Sequence, residues 1–193
     1  MALMKTSKLI LIPLMILLIA CGGGESEYYP KPRGTMHMDF PERNFVVYEG
    51  NCPYSFEIPD YFEVIADTSN CNANIEIDRF NATVYLTYIP LDTTNLAAHI
   101  EKSRKFVYDH SVKADAIEEV LFQDPDRNTF GLKYNIVGDA ASLYQFYLTD
   151  SIHNFLRGAL YFNTQPNYDS LQPSLDYITE DVDRLIETLR WKN

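Results

Sequence analysis

The chain has 193 residues, 46% of them hydrophobic and 13% aromatic, a composition that excludes a disordered polymer and fits one packed domain. Its formal charge is −11, and residues 1–20 hold two lysines and no acid, so the remainder carries −13. That balance argues against nucleic acid, whose binding rests on Lys and Arg neutralising phosphates, and against an electrostatic grip on anionic lipid.

The first segment carries Lys5 and Lys8, then an almost unbroken Leu, Ile and Met run from Leu9 to Ile19, and closes on Leu18-Ile19-Ala20-Cys21. A basic start, a short apolar core and a small residue at the cut describe a secretory signal peptide. The run is short for a bilayer span, which takes about 20 residues. An aliphatic residue, a tolerant position, a small residue and then Cys is the processing signature of bacterial lipoproteins. The expectation is cleavage before Cys21, a diacylglycerol on its thiol, and a further acyl chain such as palmitate on the freed amine. Each buried methylene contributes about 0.8 kcal/mol, so two or three chains anchor the protein to a membrane without help from charge. Gly22 rather than Asp after Cys21 favours passage to the outer membrane; periplasmic and surface-facing placements both stay open.

Residues 21–43 read as a tether and a proline-containing arm. Gly22-Gly23-Gly24 suits a flexible lead, and Tyr28-Tyr29-Pro30-Lys31-Pro32-Arg33 favours polyproline II over helix. Tyr29, Pro30, Pro32 and Arg33 are candidate docking residues, for a partner or for the protein's own domain. From residue 44 to 193 the pattern is that of one globular domain.

Phe45–Tyr48 and Tyr54–Ile58 read as strands split by the turn Glu49-Gly50-Asn51, with further strands expected at Tyr61–Ala66, Asn74–Asp78 and Ala82–Ile89. Asp92-Thr93-Thr94 offers an N-cap for a helix on which Leu96, Ile100, Val107 and Ala114 recur. Strands follow at Ala116–Gln123, Thr129–Val137, Leu143–Thr149 and Asn154–Phe162. Leu171, Leu175, Ile178, Val182, Leu185 and Leu189 then form one apolar helical stripe, with Glu180, Asp181, Asp183 and Glu187 expected toward solvent and Pro173 in the first turn. Strands, helix, strands, helix predicts an α+β fold, a mainly antiparallel sheet covered by two long helices. By analogy alone, that order suggests an α/β/α sandwich of the Mog1/PsbP-like type.

With Cys21 consumed by lipid, Cys52 and Cys71 remain in an oxidising compartment, without the CxxC spacing of a redox site, and are expected to close a structural disulfide. Chemistry-bearing patterns are sparse. His37, His99, His110 and His153 are scattered; His99 and His110 on one helix would stand about 16 Å apart, too far for one metal. No nucleophile elbow, zinc-protease helix or phosphate loop occurs, and Asp124, Asp126, Asp139 and Asp150 sit where turns recruit Asp. A calcium site in the Asp124–Asn128 turn lacks the spacing of a helix–loop–helix calcium loop. No catalytic residue, cofactor or metal is expected.

Several blocks resemble the gliding-motility lipoproteins of the GldD family. They are Leu18–Cys21, Tyr29–Gly34, Cys52-Pro53-Tyr54-Ser55-Phe56-Glu57-Ile58-Pro59, Ser103–Lys105, Val112–Ile117, Phe155–Asn163 and Leu185–Lys192. The chain departs from the family's pattern at Thr35 and at Asn72, where aromatics are expected. The resemblance implies a non-enzymatic envelope protein needed for gliding and the linked type IX secretion, with other gliding or secretion envelope proteins as partners. Within Phe155–Asn163, Arg157 lies between apolar residues and is a candidate interface anchor, set against pairing with one of the many carboxylates. The alternatives to an assembly factor are a lipoprotein that binds a small ligand or glycan, and a hydrolase built on a dispersed carboxylate pair.

Overall fold

The computed structural model describes residues 39–92, 95–109 and 111–192. Cys21, Tyr29, Pro30, Pro32 and Arg33, with His37, His110, Thr93 and Thr94, lie outside the described residues. Residues Phe40–Asn193 form one compact unit.

Among the described residues ten strands and two α-helices follow in chain order: β1 Phe45–Tyr48, β2 Tyr54–Pro59, β3 Glu63–Asp67, β4 Asn72–Ile77, β5 Ala82–Pro90, α1 Leu96–Asp109, β6 Ala114–Asp124, β7 Thr129–Gly138, β8 Ser142–Thr149, β9 Asn154–Phe162, α2 Tyr168–Thr188 and β10 Arg190–Trp191. Seven strands make one sheet in the order β3-β4-β5-β9-β8-β7-β6, and each pairing is antiparallel. The meander β3-β4-β5 builds one half. The chain then crosses through α1 to the far edge and returns as β6-β7-β8-β9, so that β9 meets β5 in the middle. A second, small sheet has the order β1-β2-β10.

The helices sit on opposite faces of the large sheet. Tyr144 of β8 donates to Asp183 of α2. Three positions on, where the side chain points the other way, Tyr147 stacks on Phe155, whose ring lies 5.7 Å from His99 of α1. β8 is therefore buried at all eight positions. The main core lies on the α2 side, among Ile75, Ile77, Val84, Leu86, Leu156, Leu160, Ile178, Val182 and Leu185. Burying each such aliphatic chain contributes about 1.5–3 kcal/mol. Gly158 of β9 leaves room there for the Phe146 ring, which would stand 2.2 Å from any Cβ.

Four expectations need correction. α1 stops at Asp109, and Ala114 opens β6 instead of closing the helical stripe; only Ser103 and Val107 of that helix are buried, too little apolar surface to carry it another turn. Pro173 lies inside α2, beyond the first turn, because Asn167 caps the helix earlier by accepting from Ser170 N. Asp181 is fully buried, not solvent-facing, and Asp183 is two-thirds buried between Tyr144 and Lys133. β4 begins at Asn72, and β10 had no counterpart in the sequence reading, since a two-residue strand has no period to detect.

Asp181 anchors the entry of the chain into the domain. Its carboxylate accepts from the Tyr61 hydroxyl and lies 2.8 Å from Arg43 Nε. Arg43 also reaches Glu180 at 2.6 Å and the Tyr177 carbonyl at 3.0 Å, with its guanidinium 4.0 Å above the Tyr177 ring. Phe40 stacks on the same ring at 4.4 Å. Residues 40–43 are thus clamped onto α2.

Cys52 and Cys71 close a disulfide with Cα atoms 5.4 Å apart, inside the range that bond requires. It joins the start of β2 to the β3–β4 turn, and Tyr54 donates its hydroxyl to the Cys71 carbonyl at 2.8 Å.

Candidate functional site

α1 covers only part of its face of the large sheet. The cross-strand row Ile65, Asn74, Tyr85, Ala159, Gln145, Tyr134, Glu119 runs from β3 to β6 on that face. Gln145 and Tyr134 are buried near α1, whereas Ile65 and Tyr85 are 49% and 42% exposed. Tyr85 meets Tyr161 edge-on at 5.6 Å, and Phe106 of α1, 41% exposed, lies against Arg157. The result is an open sheet face with an aromatic rim.

Arg157 stands at the border between the covered and open halves. Strand alternation from Phe155 puts it on the α1 face, between Thr87 and Tyr147 in the ladder. Its Nη2 donates to Gln145 Oε1 at 2.6 Å, and its guanidinium lies 4.8 Å from the Phe106 ring centroid. It makes no ion pair among the described residues. The nearest acid of that row, Glu119, is engaged by the Tyr108 hydroxyl at 2.9 Å and faces Arg104. Burial pushes the Arg157 guanidinium down from its ordinary value, and the nearby Tyr161 hydroxyl acts in the other direction.

Donors at this place outnumber acceptors. Gln145 spends its carbonyl on Arg157, and among the described residues neither its Nε2 nor the buried Tyr134 hydroxyl has a partner. A buried donor without an acceptor costs about 1–3 kcal/mol. Gln145 Nε2 and the Tyr134 hydroxyl are enclosed, so of these donors Arg157, part-exposed, is the one that solvent reaches. The planar guanidinium is thus held by one amide and lies over one aromatic ring.

The other candidates fall elsewhere. His99 is half-buried against Phe155, and His153 is exposed in the β8–β9 turn. Asp150 is spent on that turn: it accepts from the backbone amides of Ile152, His153 and Asn154 and from Asn154 Nδ2, at 2.7–2.9 Å. Burial alone would raise its carboxyl, but those amides hold it below the ordinary value. Asp124 likewise accepts from Arg127 N at 3.1 Å and from the Arg127 side chain, which ties up the turn considered for calcium. Among the described residues no three His, Cys, Asp or Glu side chains gather as a metal site. The sequence pointed to Arg157 but not to Phe106, Tyr85 or Gln145, because their meeting depends on a register that only long-range pairing sets. The period-two run Arg157, Ala159, Tyr161 was the one local signal.

Comparison with known proteins places residues 25–191 on a family described as gliding motility lipoprotein GldD. No curated protein matches the chain.

Proposed function

The chain belongs to the gliding-motility lipoprotein GldD family, and on that premise we propose that it serves gliding as a non-enzymatic scaffold of the cell envelope. In this reading lipid on Cys21 holds it at the outer membrane, and the open face around Arg157 docks a partner protein of the gliding and type IX secretion machinery. The occupant is a protein surface that presents an acidic side chain to Arg157 and apolar groups to Tyr85 and Phe106.

The observation that carries the reading is a half-buried guanidinium that meets no carboxylate among the described residues, in a chain of formal charge −11. Acids are abundant, yet among the described residues none is placed against Arg157, whereas Arg43, Arg127, Lys133 and Arg184 each have one. The two helices on opposite faces of an antiparallel sheet also support the Mog1/PsbP-like layout.

Arg157→Gln keeps most of the side chain's bulk, and Tyr85→Ala removes a ring that packs mainly at the surface. Each is expected to weaken partner binding by about 2 kcal/mol, roughly thirtyfold, and to reduce colony spreading. Protein level and melting temperature should stay near those of wild type. Full spreading by both variants would remove the face from the account.

A further inference from the structure

The β6–β7 turn, the β8–β9 turn and the C-terminal strand enclose a cleft of about 650 Å³, within the roughly 300–1,000 Å³ of small-molecule sites. Its walls are fixed before any ligand arrives. Arg127 is held by Asp124, and Asp150 by the amides of its own turn. Lys192 is tied down at both ends of the residue, with Nζ on the Gly50 carbonyl at 2.8 Å and its backbone N on the Pro53 carbonyl at 2.9 Å.

Once the groups satisfied within the walls are set aside, the cleft keeps a distinct set. Arg190 is exposed and makes no ion pair among the described residues. Lys192 spends one of its three ammonium hydrogens on the Gly50 carbonyl and meets no carboxylate among the described residues. His153 and Asp126 are exposed at the rim. Trp191 lines the cleft and is half-buried, and its Nε1 is enclosed, so what its side chain can offer a ligand is ring carbon.

We infer that this cleft is a binding site for an acid-bearing sugar. The C–H face of a pyranose covers the indole carbons of Trp191, the carboxylate meets Arg190 and Lys192, and ring hydroxyls reach Asp126 and His153. A bare inorganic anion would satisfy the cations and leave the indole uncovered. A neutral sugar would cover the indole and leave two cations unanswered. The cleft uses none of the residues of the Arg157 face, so either site stands without the other.

Trp191 is the sole tryptophan of the chain, so its emission reports this cleft directly. The intact lipoprotein in detergent micelles is titrated with N-acetylmuramic acid and with glucuronic acid, with N-acetylglucosamine as the control that lacks a carboxylate. The expected result is a saturable change in emission with at least one of the two acids, which also tells a lactyl acid from a uronate. That binding should be at least about tenfold weaker for N-acetylglucosamine and in Arg190→Ala, an exposed position whose melting temperature is checked alongside. Saturation-transfer NMR on the same samples gives a second readout. No saturable response to either acid, an equal response to the neutral sugar, or unchanged binding in Arg190→Ala would overturn the assignment.

Discussion

Arg43→Ala lowers the stability of the domain by about 3 kcal/mol at neutral pH, or roughly 6–12 °C in Tm, and by much less at about pH 4. The magnitude follows from what is left behind. Asp181 has no exposed surface, and without Arg43 its charge faces only the Tyr61 hydroxyl and the neighbouring charge of Glu180. Removing one partner of a buried pair costs about 3–5 kcal/mol, and Arg43, 28% open to solvent, belongs at the lower end. The pH dependence follows from the sign of the shift. Burial raises the Asp181 carboxyl above its unfolded value of 3.8, while Tyr61 and Arg43 oppose that rise. Loss of Arg43 raises it further. A carboxyl raised on folding contributes stability that is complete below its unfolded pKa and is lost as pH rises through the folded one. The variant therefore recovers toward wild type on acidification. Chemical denaturation of both proteins from pH 4 to pH 8 checks this, and a difference that does not change with pH would show that the Asp181 charge is not what Arg43 compensates.

Reduction of the Cys52–Cys71 bond, or Cys52→Ser, removes about 3 kcal/mol on the chain-entropy account of a loop with a sequence separation of 19. The consequence extends beyond the loop. Cys52 is buried and lies two residues before the start of β2, and β2 pairs with both β1 and β10. Pro53 accepts the Lys192 amide, so a loosened Cys52 also frees the C-terminal strand. Cys71→Ser should match Cys52→Ser, and the double variant should be no worse than either, since one bond is lost in each case. Thermal melts of oxidised and reduced protein give the answer; coincident curves would mean that the bond contributes nothing to the fold.

The parts of the fold readable from sequence are those governed by local periodicity. Strands of β-branched and aromatic residues, such as Ala82–Pro90, and the stripe Leu175, Ile178, Val182, Leu185 of α2 depend on spacing along the chain alone. Features set by distant partners were not readable. Asp181 is three residues from Ile178 on the helix surface, and only the arrival of Tyr61 and Arg43 turns that flank inward. Ala114 keeps the helical spacing of Val107, yet pairing with Gly138 draws it into β6. Of the candidate site, Arg157 was visible as a cation in an apolar block. Its partner was not, because Gln145 reaches it across the β8–β9 ladder rather than along the chain.

The same distinction governs the functional account. In the proposed function the lipid anchor rests on the local signature at Cys21, and the docking face rests on long-range pairing that sets Tyr85 and Arg157 on one sheet face, with Phe106 against Arg157. The account holds that both are needed at once: a domain held at the membrane, and a face that engages a partner there. The most direct test is a gene deletion complemented with wild type or with Cys21→Ala, scored for colony spreading, for secreted cargo and for the protein's fractionation with membranes. The expected result is loss of spreading and secretion in the deletion, rescue by wild type alone, and release of Cys21→Ala from the membrane fraction. Rescue by a fully released Cys21→Ala protein, or normal spreading in the deletion strain, would contradict a membrane-held scaffold of gliding.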